Sequence, residues 1–82
     1  MSDINYSIRI IDDKGRGIPN SKVHVHYDMT HDSGFTDSDG WVSFRKNSLM
    51  YNAAYVKVYF KDKKLGEVWA EDGKSFSFTY NY

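Results

Sequence analysis

The stretch Ile10-Ile11-Asp12-Asp13-Lys14-Gly15-Arg16-Gly17-Ile18-Pro19-Asn20-Ser21-Lys22-Val23-His24-Val25, joined later by Thr36-Asp37-Ser38-Asp39-Gly40-Trp41-Val42-Ser43-Phe44, decides the fold. An apolar run ends in a polar turn. There Gly15 and Gly17 allow positive φ, and Pro19 fixes its own. An alternating segment follows. Asp37-Ser38-Asp39-Gly40 is a second tight turn, with Gly40 suited to the left-handed position, and it leads into another strand. Strand, turn, strand, repeated within 35 residues, is the rhythm of an all-β domain.

Working outward, Ile4, Tyr6, Ile8 and Ile10 share one face of a strand over 4–10. Lys22–Asp28 alternates likewise, with Val23, Val25 and Tyr27 on one face and Lys22, His24, His26 and Asp28 on the other. Met29–Gly34 reads as a loop, and Phe35-Thr36 as a short strand. Trp41–Phe44 is the next strand, and Arg45–Asn52 is irregular. Ala53–Lys61 has the strongest pattern: Ala54, Val56, Val58 and Phe60 against Tyr55, Lys57, Tyr59 and Lys61. A turn at Asp62-Lys63 leads into Lys64–Ala70 as an antiparallel hairpin. Asp72-Gly73 turns the chain again, and Ser75–Tyr80 sets Phe76, Phe78 and Tyr80 inward. About seven short strands without helical periodicity predict one domain over residues 1–82, a seven-stranded antiparallel β-sandwich.

Bulk composition narrows the function. Eleven basic and 11 acidic residues give a formal net charge of zero, so no charge excess draws the chain to nucleic acid or an anionic membrane. Near-neutrality also weakens colloidal repulsion and favours homo-oligomers. There is no cysteine, hence no disulfide framework. No apolar run approaches the ~18 residues of a membrane span, and Met1-Ser2-Asp3-Ile4-Asn5 lacks the features of a signal peptide. The expectation is a cytoplasmic protein, with export by a non-classical route left open.

The two turn motifs resemble those of the carboxypeptidase regulatory-like domains, which share the transthyretin-like (prealbumin-like) seven-stranded sandwich. That family shows Asp-x-x-Gly-x-Pro-(Ile/Leu)-x-Gly-Ala-x-Val, then Thr-Asp-x-x-Gly-x-(Phe/Tyr). Asp12, Gly15, Ile18, Val23 and Val25 match the first motif; Gly17 replaces the proline and Asn20-Ser21 replaces Gly-Ala. Thr36, Asp37 and Gly40 match the second, with Val42 in the aromatic slot. The match covers about half of the chain and implies a transthyretin-like/Ig-like fold with a non-catalytic accessory or binding role. It also sets Val42 and Phe44 inward and Trp41 outward.

Several catalytic and metal chemistries lack their residues. The chain has no Gly-x-Ser-x-Gly and no cysteine nucleophile. The transthyretin-like hydroxyisourate hydrolases carry a C-terminal Tyr-Arg-Gly-Ser that Phe78-Thr79-Tyr80-Asn81-Tyr82 does not match. The isopeptide-forming adhesin domains need an early lysine where this chain has Arg9, although Glu67 and Asn81 exist. His24 and His26 share one strand face and are weak metal candidates, because zinc needs three or four convergent ligands. A calcium loop from Asp37 would need a glutamate where Ser48 stands. Neither an enzyme, a metal nor a cofactor is expected.

What remains is the stripe Tyr55, Lys57, Tyr59, Lys61, with Trp41 or His26 nearby. Tyrosine supplies contact area at small entropic cost, and lysine tunes the charge. The binding residues expected are Trp41, Tyr55, Lys57 and Tyr59, in a protein-interaction module acting through this face or through an exposed sheet edge. A small domain of this kind is similar to the transthyretin-like adaptors of secretion-system tip proteins, so the partner expected is a secretion-system or surface-assembly component. The rival expectation is a carbohydrate-binding domain using the same aromatic face.

Overall fold

A computed structural model describes residues 2–48 and 53–81. The strands are β1 (Ser2–Ile11), β2 (Lys22–His26), β3 (His31–Phe35), β4 (Trp41–Ser48), β5 (Ala53–Phe60), β6 (Lys63–Glu71) and β7 (Lys74–Thr79). They form a three-stranded sheet in the order β4-β1-β7 and a four-stranded sheet in the order β3-β2-β5-β6. No helix among the described residues is long and apolar enough to cross a membrane.

One apolar cluster draws on both sheets. Ile4, Tyr6, Ile8 and Ile10 of β1 meet Val23 and Val25 of β2, Val42 and Phe44 of β4, Val56, Val58 and Phe60 of β5, and Ala70 of β6. Period-2 alternation puts these residues on one face of each strand, and burial of that face is the main apolar driving force for folding. Phe76, Phe78 and Tyr80 pack against the cluster from the end of the chain.

The two motifs that opened the chain meet in space. Ile10 N donates to the Gly40 carbonyl at 2.9 Å, and Ile18 N donates to the Ile10 carbonyl at 2.9 Å. Gly17 lies so close to the second turn that an added Cβ would stand 1.9 Å from the Asp39 carbonyl oxygen. Gly40 has φ +86°, and its Cβ would stand 2.5 Å from the Ile10 carbonyl oxygen. Thr36, almost fully buried, donates its hydroxyl to the Ile18 carbonyl at 2.7 Å and accepts Ser21 N at 3.0 Å. Each turn is also closed by its aspartate. Asp12 Oδ1 accepts from Lys14 N and Arg16 N, and Asp37 Oδ1 accepts from Asp39 N and Trp41 N. The Asp37 carboxylate is thus used as a turn brace.

Four features differ from the sequence expectation. The strands are not uniformly antiparallel: β7 runs parallel to β1, with Ile8 opposite Phe76. Apolar alternation reports which face a residue occupies but says nothing of strand direction. Residues 31–35, read as loop apart from Phe35, are a strand hairpinned onto β2. Apart from Phe35 they are polar or glycine, and none is buried, so period 2 has no buried face to mark. Arg45–Ser48, read as irregular, continue β4 against Ser2–Asn5, while 49–52 lie outside the described residues. Lastly, the β5–β6 hairpin turns at Lys61 (φ 50°) and Asp62 (φ 64°), one residue earlier than expected. Two successive positive φ angles match the right-handed strand twist even without glycine.

Candidate functional site

The face of the four-stranded sheet turned away from the apolar cluster carries the candidate site. Its rows follow from the register. Ser33, His24, Tyr59 and Lys64 line up across β3, β2, β5 and β6. His31, His26, Lys57 and Glu67 form the next row. Tyr55 and Trp69 stand opposite one another beyond it, and Phe35 stands opposite Lys22 at the other end.

Aromatic rings touch along these rows. Tyr55 and Trp69 meet edge to face, with centroids 5.3 Å apart and planes at 60°. His26 lies 4.6 Å from Tyr59 and 5.8 Å from His31. The edge-to-face geometry of the Tyr55–Trp69 pair favours the ring quadrupoles, while the His26 contacts are tilted. Trp69 remains 64% exposed and Phe35 68% exposed, so large apolar surface meets water on this face. Glu67 pairs with Lys64 on the edge strand β6 and sits opposite Lys57, which stands between Tyr55 and Tyr59 on β5, so charges intersperse with the rings.

Two hollows flank the rings. A cleft of about 350 Å³ opens beside Tyr55 and Trp69 and is lined also by Asp28, Met29, Thr30 and Lys46. A smaller one of about 290 Å³ lies between His24, His26, Tyr59 and Asp62. Beneath the first cleft, Tyr27 shares a 2.5 Å hydroxyl–hydroxyl contact with the buried Tyr6. The Lys46 ammonium lies 5.0 Å from the Tyr27 ring centre. Burial pushes the Tyr6 phenol far above its ordinary ionisation range, and raises Tyr27 too. The pair is therefore neutral at pH 7.

The structure brings Tyr55, Lys57 and Tyr59 together on this face with His24 and His26. Trp41 lies elsewhere. It projects from β4 in the three-stranded sheet, opposite Arg9, whose guanidinium carbon sits 5.9 Å from the indole centre. Arg9 Nε is held in turn by the Asp39 carbonyl at 2.9 Å, so Trp41 belongs to the scaffold around the second turn. Trp69, not singled out from the sequence, stands on this face opposite Tyr55. Its signal was readable: it falls between the inward positions Val68 and Ala70, on the outward phase of β6. Among the described residues, no group of three or more His, Cys, Asp or Glu side chains could hold a metal ion.

No protein-family model matches the chain, and no curated protein matches it significantly.

Proposed function

We propose that this chain is a non-catalytic interaction module on a transthyretin-like β-sandwich, and that it binds another protein through the outer face of the four-stranded sheet. The observation that carries this reading is the Tyr55–Trp69 pair: two rings held edge to face, one of them 64% exposed. Exposed, ordered aromatics are enriched among the anchors of protein interfaces, and the Lys64–Glu67 pair on the outer strand β6 suits a polar rim. The sandwich assignment is supported by the apolar cluster common to both sheets. The family likeness is supported by the meeting of the Asp12–Gly17 and Thr36–Gly40 turns. A role as an adaptor within a secretion-system or surface assembly is the form this function takes by that likeness.

The test is capture from native lysate by wild type and by a Tyr55→Ser/Tyr59→Ser/Trp69→Ser variant, with Trp41→Ser as the control on the other sheet. A partner held by wild type and by Trp41→Ser, but lost from the triple variant, is the expected result. Retention by the triple variant would contradict the proposal.

A second reading is favoured by the cleft beside Trp69. An aromatic corner next to Asp28, Thr30 and Lys46 offers both a stacking face and hydroxyl-bonding groups, the combination a sugar ring uses. Under this reading a glycan array shows ligands that the Trp69→Ser variant loses.

A further inference from the structure

Of the four sheet edges, β3 alone carries no lysine or arginine; its defences are its short length and Asp32. The outer strands β4 and β6 carry Arg45 and Lys46, and Lys63 and Lys64, while β7 carries Lys74. Edge lysines and arginines hinder the addition of another strand. The sequence of β3, His31-Asp32-Ser33-Gly34-Phe35, has neither, and all but Gly34 are exposed.

The ladder determines which of its backbone groups are available. Tyr27 N donates to the Thr30 carbonyl at one end of the β2–β3 pair, and Thr36 N donates to the Ser21 carbonyl at the other. Hydrogen-bonded pairs alternate with non-bonded ones in an antiparallel ladder. With the observed register, Val25–Asp32 and Val23–Gly34 are therefore the bonded pairs. His26–His31, His24–Ser33 and Lys22–Phe35 are the non-bonded ones. The N–H and C=O groups of His31, Ser33 and Phe35 consequently point away from β2, along the open edge.

We infer that this edge pairs with the β3 strand of a second copy of the chain, antiparallel about a two-fold axis at Ser33. In that register His31 of one copy faces Phe35 of the other, Ser33 faces Ser33, and the outward groups form about four backbone hydrogen bonds between His31 and Phe35, with two more at Ser33 once its N–H is released from Asp32. The pairing is self-complementary in shape as well. The smallest outward side chain sits on the axis, and the exposed Phe35 ring is covered by the other copy's imidazole. Asp32 comes opposite Gly34, which has no side chain to obstruct it. The zero net charge adds no long-range repulsion between copies. The two outer faces then form one continuous eight-stranded surface, independently of what that face binds.

Asp32 limits the affinity. Its Oδ1 accepts Ser33 N at 2.8 Å, occupying the donor at the centre of the pairing, and the two Asp32 carboxylates approach each other diagonally across the axis. The self-pairing is accordingly weak and concentration-dependent, and Asp32 sets its strength.

Sedimentation equilibrium on the full chain tests this, together with amide exchange followed residue by residue. Wild type is expected to dimerise as concentration rises. The His31 and Phe35 amides gain protection with the dimer, while those of Asp32 and Gly34 are protected throughout. Asp32→Ala tightens the dimer about tenfold. Ser33→Pro abolishes it without touching the β2 ladder, because the amide removed is an outward one. Ser33→Lys, which places like charges across the axis on an exposed face, does the same should the proline variant fail to fold. Three outcomes overturn the inference: a monomer at every accessible concentration, a dimer indifferent to both Ser33 variants, or protection that appears on β4, β6 or β7 instead.

Discussion

The junction of the two turns and the outer face of the four-stranded sheet are both rich in polar and aromatic side chains, yet they use them in opposite ways. At the junction the polar groups are turned on the chain itself. Asp12 and Asp37 brace their own turns, Thr36 joins Ile18 to Ser21, and Arg9 holds Asp39 beside Trp41. On the outer face, rings touch rings, and much of Trp69 and Phe35 still meets solvent. Residues whose bonding capacity is met within the chain hold the fold. Residues whose surface is ordered but uncovered are the ones a partner can use. Two tryptophans illustrate the contrast: Trp41 is fixed into the scaffold by Arg9, and Trp69 is presented by Tyr55.

Substitutions sharpen that contrast, and the largest effect falls at the junction. Gly17→Ala drives a Cβ to 1.9 Å from a backbone oxygen, and backbone cannot yield as a flexible side chain can. A loss of roughly 4 kcal/mol or more is expected, read as a collapsed denaturant midpoint. Gly40→Ala adds left-handed strain to a similar clash and is expected to be comparably damaging. Thr36→Val keeps the volume but removes the hydroxyl. It leaves the Ile18 carbonyl without its 2.7 Å donor and is expected to cost about 1–3 kcal/mol.

Between these extremes lies the Tyr6–Tyr27 pair. Both phenols ionise less readily folded than unfolded. Above the ordinary tyrosine value near 10 the unfolded chain loses protons that the folded chain keeps, so stability present below that pH is lost as pH rises beyond it. Alkaline titration of the denaturant midpoint is expected to fall from about pH 10 upward, and less steeply in Tyr6→Phe. The smallest effects on stability belong to the outer face. Trp69→Ser and Tyr59→Ser each are expected to shift unfolding by only about 0.5 kcal/mol, while abolishing capture of a partner.

Much of the scaffold was legible because its strands are half-buried. Ile4 to Ile10, Val23 with Val25, and Val56 to Phe60 announce their inward faces by period 2, and each is buried as the pattern requires. Asp12, Gly15, Asp37 and Gly40 announce turns by the backbone angles and side-chain caps those turns need. Strand β3 was illegible because none of its residues is buried, even its one large apolar side chain, Phe35, so it has no buried face to mark. The parallel β1–β7 pairing was illegible because register and direction are set by long-range packing. On the face itself, Tyr55, Lys57 and Tyr59 were readable from β5 alone. That Trp69 completes them and Trp41 does not depends on which strand neighbours β5, and only the assembled sheet fixes that.

The most direct measurement takes one sample of Tyr55→Ser/Trp69→Ser and records both its denaturant midpoint and its capture of the wild-type partner. A midpoint within about 1 kcal/mol of wild type together with lost capture is the expected result, separating the scaffold from the face. Undiminished capture by the folded variant would contradict the account.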